Sequence, residues 1–246
     1  MARLLSALFV FILVPIPGNA GTEFCPEDHP AISPAPLQKE WAVEWWKPRH
    51  EEKLNDDRRE AANLLFLGDS ITQGWETVGQ DVWKQYYADR RPFNLGFGGD
   101  RTENVLWRLE HGGVDGMYPE LVILSIGTNI TGHRQDPAGC TTKGIEMVLD
   151  ELNHRLPGAE ILFLAIFPRG EFSDDELRKR NREINGRIEK LADREDVYYL
   201  DLNHVFLREN GELPEEVMPD FLHPNEAGYR LWAEAMEPMM ENLINE

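Results

Sequence analysis

The sequence predicts an α/β domain built on a parallel β-sheet with helices on both faces. From about residue 60 onward, short apolar runs alternate with segments of helical periodicity. The apolar runs are uninterrupted, which is typical of strands that are buried on both sides. Because five such strands alternate with helices, each connection can cross one face of the sheet and start the next strand at the same edge.

The predicted strands are the five apolar runs at residues 63–67, 92–95, 121–126, 160–167 and 197–200. The predicted helices are the segments at residues 82–88, 102–110, 142–156, 174–192 and 225–243. Pro157-Gly158 provides a stop signal for the third helix, and Asn225 provides an N-cap for the last one. Each element is therefore supported by its own local pattern.

Composition and charge narrow the function classes. The chain has 246 residues, 41% of them hydrophobic, which is enough for one large domain with appendages. Its 25 Lys and Arg residues are outnumbered by 44 Asp and Glu residues, giving a formal net charge of −19. A chain with this negative charge repels the phosphates of nucleic acids and the headgroups of anionic lipids, so we expect no nucleic-acid partner.

The first 59 residues form two segments that precede the main domain. A short cationic start is followed by an apolar run at residues 4–14, two prolines and Gly18-Asn19-Ala20. This order is typical of a cleaved secretory signal, and the run is shorter than the roughly 20 residues that span a bilayer. We predict a signal peptide at 1–20, a Pro- and Trp-rich arm at 21–59 and the main domain at 60–246. The protein is then secreted or periplasmic, with no membrane span after cleavage.

The arm carries three tryptophans, and the whole chain carries two cysteines. Because Trp41 and Trp45 are four residues apart, we expect them on one face of an amphipathic helix that packs on the main domain. An aromatic platform for a sugar is the alternative. Cys25 and Cys140 could form a disulfide in an exported protein, and two free thiols fit the sequence almost equally well.

A Gly68-Asp69-Ser70 triplet directly follows the first predicted strand. A serine at the carboxyl end of such a strand lies where open α/β sheets bind their ligands. If a turn or helix starts here, free backbone N–H groups surround the Ser70 hydroxyl, which suits attack on a carbonyl and stabilisation of an oxyanion. Taken alone, the triplet favours a helix cap. Only further reactive groups elsewhere in the chain can favour a nucleophile.

Two loops provide hydrogen-bond donors for such an oxyanion. Residues 94–100 follow the second strand, and their glycines let backbone N–H groups approach a ligand. Asn129 follows the third strand, and its amide presents two donors. The glycine spacing matches neither a dinucleotide fingerprint nor a P-loop, so these residues are a poor signal for a nucleotide site.

A base and an orienting acid occur together near the C-terminus. Asp220 and His223 are three residues apart, just before the last predicted helix. Pro224 keeps His223 out of helical geometry, and a carboxylate at this spacing can hold the imidazole and fix its tautomer. Ser70, His223 and Asp220 are therefore the candidate nucleophile, base and acid.

These blocks resemble the SGNH, or GDSL, hydrolase superfamily, which is named for Ser, Gly, Asn and His in separate blocks. Gly68-Asp69-Ser70 is similar to the first block, Gly99 and Asn129 to the next two, and Asp220 with His223 to the last. The branch that this chain is most similar to is that of the catalytic subunits of intracellular platelet-activating-factor acetylhydrolase and their bacterial relatives. The segments that carry this similarity are residues 94–100, Val105-Leu106-Trp107-Arg108-Leu109 and Pro168-Arg169-Gly170-Glu171.

The resemblance implies a three-layer α/β/α sandwich with a flavodoxin-like five-stranded sheet in the order 2-1-3-4-5. It implies Ser70 as nucleophile, His223 as base and Asp220 as its orienting acid. The implied oxyanion hole consists of the Ser70 and Gly99 backbone N–H groups and the Asn129 side chain. Neither a metal nor an organic cofactor is implied. Related enzymes dimerise, so a homodimer is a candidate assembly.

The predicted function is that of a secreted serine esterase that removes short acyl groups, acetyl above all, through an acyl-enzyme. Export favours a small-molecule or carbohydrate ester as the substrate. A lysophospholipase, an arylesterase and a thioesterase are the alternatives within the superfamily. A non-catalytic carbohydrate-binding protein that uses the tryptophan arm is the alternative from another class, and the joint presence of Ser70, Asp220 and His223 counts against it.

Overall fold

The computed structural model describes residues 24–244 of the chain, so the predicted signal peptide at 1–20 lies outside the described residues. The predicted parallel sheet is present, with five strands in the order β2-β1-β3-β4-β5. All four strand pairs are parallel. The strands are β1 (Leu64–Gly68), β2 (Pro92–Gly96), β3 (Leu121–Ser125), β4 (Glu160–Leu164) and β5 (Val197–Leu200).

Within the described part of the chain, α-helices connect and flank these strands. They are α1 (Trp46–Leu54), α2 (Ser70–Gln73), α3 (Gln80–Tyr87), α4 (Thr102–Glu110), α5 (Ala138–Arg155), α6 (Glu176–Ile188) and α7 (Glu226–Ile244). As predicted, Asn225 caps α7, since its Oδ1 accepts a hydrogen bond from Gly228 N at 3.1 Å. The third predicted helix starts four residues early, at Ala138. Across residues 24–244, no helix has both the length and the apolar character of a membrane span.

Two apolar layers cover the sheet, one on each face. Side chains of successive strand residues point to opposite faces. In β1, Leu65 and Leu67 join the layer formed with α1, α4, α5 and α6, whereas Leu64 and Phe66 join the layer formed with α2, α3 and α7. Because both faces are covered, every residue of β1 is buried, and this explains its uninterrupted apolar run. The expected three-layer α/β/α sandwich is confirmed.

The N-terminal arm lies against the main domain along α4 and α5. Cys25 forms a disulfide with Cys140 of α5, which decides between the two alternatives for the cysteines. Near the start of α4, the Thr102 hydroxyl donates to the Ala31 carbonyl at 2.6 Å. The arm is thus anchored both covalently and by hydrogen bonding.

The expectation that one helix carries Trp41 and Trp45 is wrong. Residues 40–45 form turns, and α1 begins only at Trp46. Trp46 is fully buried in the core, as expected for packing on the domain, but Trp41 is 54% exposed. The rings of Trp41 and Trp45 still stack, with their centroids 6.2 Å apart, because the turn also brings these residues together.

Candidate active site

Ser70 lies at the junction where β1 ends and α2 begins. The N-cap of α2 is Asp69, whose Oδ1 accepts a hydrogen bond from Ile71 N at 2.9 Å. The helix cap that the Gly-Asp-Ser triplet predicts is therefore provided by Asp69. The Ser70 hydroxyl is left available for another partner.

Ser70, His223 and Asp220 form one hydrogen-bonded chain, although Ser70 and His223 are 153 residues apart in the sequence. Ser70 Oγ lies 2.9 Å from His223 Nε2, and His223 Nδ1 lies 2.6 Å from Asp220 Oδ2. An ionised carboxylate can only accept, so Nδ1 carries the proton and Nε2 is free to accept from the serine hydroxyl. This is the geometry by which a histidine can deprotonate a serine nucleophile.

The turn that holds Asp220 and His223 is organised by local hydrogen bonds. Asp220 Oδ1 accepts from Leu222 N at 3.1 Å and from His223 N at 2.7 Å. Between them, Phe221 adopts a left-handed φ of 54°. Partial burial works to raise the pKa of Asp220, but the hydrogen bonds from His223 outweigh it, and the pKa lies below its ordinary value. The carboxylate that orients the imidazole is therefore ionised at neutral pH.

Two backbone N–H groups, those of Ser70 and Gly99, are the predicted oxyanion donors. Gly99, in the loop after β2, has a φ of +78°, a left-handed conformation that favours glycine. Ser70 is the first residue of α2, where backbone N–H groups have no partner within the helix. Among residues 24–244, neither the Ser70 nor the Gly99 N–H donates a hydrogen bond to another protein group. Both donors remain available to a ligand.

Asn129 is held beside the Gly99 loop. It is buried, and its Nδ2 donates to the Asp100 carbonyl oxygen at 3.0 Å. An amide nitrogen carries two hydrogens, so one remains for a ligand after this bond is made. The structure thus brings together Ser70, Gly99 and Asn129 from the ends of three adjacent strands.

A buried ion pair supports the donor loop, and our sequence analysis did not identify it. Arg108 Nη2 lies 2.8 Å from Asp100 Oδ2, and both side chains are almost completely buried. Trp46 Nε1 donates to the other Asp100 oxygen at 2.6 Å. Burial raises the pKa of Asp100 to about 6, while Arg108 and Trp46 act in the opposite direction, so Asp100 is ionised at neutral pH. The sequence carries no local signal for this pair, because helix neighbours are three or four residues apart and Asp100 lies in the loop before α4.

Arg169, in the loop after β4, connects the two sides of the site. Its Nη1 donates to the Thr128 carbonyl oxygen at 2.8 Å, immediately before Asn129. The next residue, Gly170, donates its N–H to the Phe221 carbonyl oxygen at 2.9 Å, in the turn that carries His223. In the sequence, this segment signals only a family resemblance. Its contacts connect the segment that carries Asn129 with the turn that carries His223.

One group of side chains in the described residues has the spacing of a metal site: Cys25, His29 and Cys140. The two sulfurs of this group are joined in the disulfide. A disulfide offers no thiolate, and the thiolate is the form of cysteine that binds metals. These residues are therefore not a metal site while the disulfide is formed.

Known proteins share both this sequence pattern and this fold. The model of the GDSL-like lipase/acylhydrolase family matches residues 66–231. The chain belongs to this family. This GDSL-like hydrolase is therefore a carboxylic ester hydrolase, as its residues predicted. Human platelet-activating factor acetylhydrolase IB subunit alpha1 is 30% identical over 219 residues, which cover 89% of this chain and 92% of that protein.

Solved structures share the three-layer fold of this GDSL-like hydrolase. A GDSL-like lipase from Bacteroides thetaiotaomicron is 18% identical, with a TM-score of 0.65 over 81% of this chain and 97% of its own. An acetylxylan esterase from Geobacillus stearothermophilus is 19% identical, with a TM-score of 0.58 over 74% of this chain and 94% of its own. At these identities the similarity concerns the fold.

Proposed function

We propose that this ester hydrolase uses Ser70 as its nucleophile, His223 as its general base and Asp220 as the acid that orients the base. The observation that carries the proposal is the hydrogen-bonded chain from Ser70 Oγ through the imidazole to the Asp220 carboxylate. His223 Nε2 takes the hydroxyl proton as Ser70 Oγ attacks the ester carbonyl. The tetrahedral intermediate then expels the alcohol, which leaves with that proton, and the acyl group stays on Ser70.

Deacylation repeats the same chemistry with water. His223 takes a proton from the water molecule as it attacks the acyl-enzyme, and returns it to Ser70 as the carboxylic acid leaves. In both steps the negative oxygen would be bound by the Ser70 and Gly99 N–H groups and by Asn129 Nδ2. Since Asn129 is already fixed on the Asp100 carbonyl, this donor needs no reorientation when charge develops. The route requires neither a metal nor an organic cofactor.

A short acyl group, acetyl above all, suits the surroundings of Ser70. The connections after β1 and β2 are short, with α2 following β1 directly and α4 starting six residues after β2 ends. The segment after Asn129 is a tight π-helical turn, Ile130–Arg134, that includes polar His133 and Arg134. A buried methylene contributes about 0.8 kcal/mol only where an apolar wall receives it. Relatives named as an acetylhydrolase and an acetylxylan esterase support the same inference.

We further propose that the protein is secreted or periplasmic and acts on a carbohydrate or other small ester. The pattern of residues 1–20 is that of a cleaved signal. The disulfide between Cys25 and Cys140 supports export, because disulfides persist in oxidising compartments. An exported esterase meets polysaccharides and environmental esters rather than cytoplasmic lipids.

The test is kcat/KM for p-nitrophenyl esters with acyl chains from two to twelve carbons, run beside acetylated xylan. We expect acetyl and propionyl esters to be hydrolysed far better than octanoyl and longer ones, with no loss of rate in EDTA. A steady increase with chain length would contradict the short-acyl proposal and favour a lysophospholipase. Loss of activity in EDTA that is restored by a divalent metal would contradict the metal-free route. Inactivity on every ester would favour the carbohydrate-binding alternative.

A further inference from the structure

The two stacked tryptophans of the arm lie against the loop that carries the Gly99 N–H. A Cβ atom placed on Gly99 would be 2.3 Å from Trp41 Cη2, and one on Gly98 would be 3.3 Å from Trp45 Cη2. Both indole rings therefore contact this loop from outside. Gly99 itself is buried, whereas Trp41 is 54% exposed, so the Trp41 ring borders Gly99 and is partly open to solvent.

This exposed ring is held in place from both directions along the chain. Before Trp41, Ala35 N donates to the Glu103 carbonyl oxygen at 3.0 Å, and the disulfide anchors the start of the arm. After Trp41, the Trp46 indole donates to Asp100, the residue that follows Gly99. A large aromatic surface fixed in advance loses little conformational entropy when it binds a ligand. The arm thus presents a preformed surface beside the site.

The shape of this surface favours a sugar ring over an alkyl chain. More than half of Trp41 is open to water and Trp45 stacks on its ring, so the residue offers a flat open surface and not the enclosing wall that an alkyl chain needs. A pyranose can pack the C–H bonds of one face on an indole while its hydroxyls stay hydrated. Gln38 and Lys39, which precede Trp41 in the same segment, are exposed polar side chains.

We propose that Trp41, backed by Trp45, is the binding platform for the alcohol part of the substrate, a pyranose ring that carries the acetyl ester. This proposal rests on the proposed function, because it takes the ester carbonyl oxygen to lie against the Gly99 N–H. The acetyl group is then held at Ser70, and the alcohol part extends past Gly99 over the Trp41 ring. An alcohol without a ring is too small to use that surface.

The test is a selectivity ratio, kcat/KM for an acetylated xylooligosaccharide divided by kcat/KM for ethyl acetate. We expect Trp41→Ala to lower this ratio about five- to tenfold, mainly through a higher KM for the sugar ester. Trp41→Tyr keeps a flat ring and should lose less. The matched control is Tyr118→Ala, which removes an aromatic side chain that is 84% exposed. Tyr118 lies just before β3, at the amino ends of the strands, whereas Ser70 lies at their carboxyl ends. Its ratio should equal that of the wild type.

A second measurement separates this proposal from the proposed function. Isothermal titration of unacetylated xylohexaose into the Ser70→Ala protein reports binding without chemistry. We expect the heat of binding to disappear when Trp41→Ala is added, and to persist with Tyr118→Ala. The platform proposal is overturned if Trp41→Ala leaves the ratio unchanged, including when it lowers kcat/KM for both substrates equally. If the wild type hydrolyses neither ester, the proposed function fails. The titration still tests whether Trp41 binds the sugar, because it does not depend on hydrolysis.

Discussion

The proposed nucleophile side, at Ser70, and the proposed base side, at His223, are built in different ways. On the nucleophile side, the end of β2 touches the backbone of α2, and a Cβ on Gly96 would be 2.1 Å from Gln73 N. Asn94 Nδ2 adds a hydrogen bond to the Thr72 carbonyl oxygen at 2.8 Å. On the base side, by contrast, the side chains of His223 and Asp220 are 43% and 56% exposed.

The difference follows from what each side has to do. Oxyanion donors act through their exact placement, since a hydrogen bond weakens steeply with distance and angle, and only close packing in the core holds backbone groups that firmly. The imidazole needs orientation and access to water, which a local carboxylate in an exposed turn provides. Arg169 and Gly170 connect the two sides. The two sides can therefore keep their relative position although the histidine is not buried.

The largest effect should come from removing the nucleophile on the packed side. We expect Ser70→Ala to lower kcat by about 10⁶-fold, as the loss of a serine does in comparable triads. The side chain is small and only partly buried, so the free energy of unfolding should change by less than about 1 kcal/mol. Steady-state kinetics with p-nitrophenyl acetate measure kcat, and urea denaturation measures the free energy of unfolding. A folded variant that keeps its activity would place the nucleophile elsewhere.

The next largest effect should come from the exposed side. Asp220→Asn retains an oxygen for the Leu222 and His223 N–H groups but loses the charge that supports the imidazolium. A buried aspartate in this role is worth about 10⁴-fold in kcat, and the exposure of Asp220 should make its effect smaller, because water also screens the imidazolium. The matched control is Asp57→Asn. Asp57 is exposed and lies in the turn that follows α1. Equal rates for the two variants would contradict the role of Asp220.

A smaller effect is expected from the side-chain donor of the packed side. Asn129→Ala should lower kcat by roughly 10²–10³-fold with little change in KM, since an oxyanion donor acts mainly on the tetrahedral state. The same assay with p-nitrophenyl acetate gives both constants. A raised KM with an unchanged kcat would show instead that Asn129 binds the substrate.

The smallest effect concerns the stability of the packed side as a function of pH. Burial raises the pKa of Asp69 to about 7, from an ordinary value of 3.8. Between these values the folded protein holds a proton that the unfolded chain has released, so this contribution to stability is complete below about pH 4 and is lost as the pH rises through 7. Asp69→Asn stays neutral and keeps an acceptor for Ile71 N. We expect its free energy of unfolding, relative to the wild type, to rise by about 1–3 kcal/mol between pH 5 and pH 8.

Urea denaturation at pH 5, 6.5 and 8 measures this difference, with Asp57→Asn as the exposed control. The control should keep a constant offset from the wild type across the three pH values. A constant offset for Asp69→Asn as well would mean that Asp69 is ionised in the folded protein throughout this range.

The sequence alone was sufficient for the strands, the order of the helices and the residues at the strand ends. These features depend on local signals. An uninterrupted apolar run indicates burial on both sides of a strand, and the Gly-Asp-Ser and Asp-x-x-His blocks, taken together, predict a serine nucleophile with its base. Helix limits were less certain, because the start at Ala138 and the turn before Trp46 depend on what each segment packs against.

Contacts between distant segments were decided only by the tertiary structure. The pairing of Cys25 with Cys140, the support of Asp100 by Arg108 and the connection made by Arg169 each join residues from different elements. The exposure of Trp41 belongs with them. A helical spacing of tryptophans indicates that the rings lie near one another, but whether a ring is covered depends on which surface the arm meets, and that surface is assembled only when the sheet and its helices pack together.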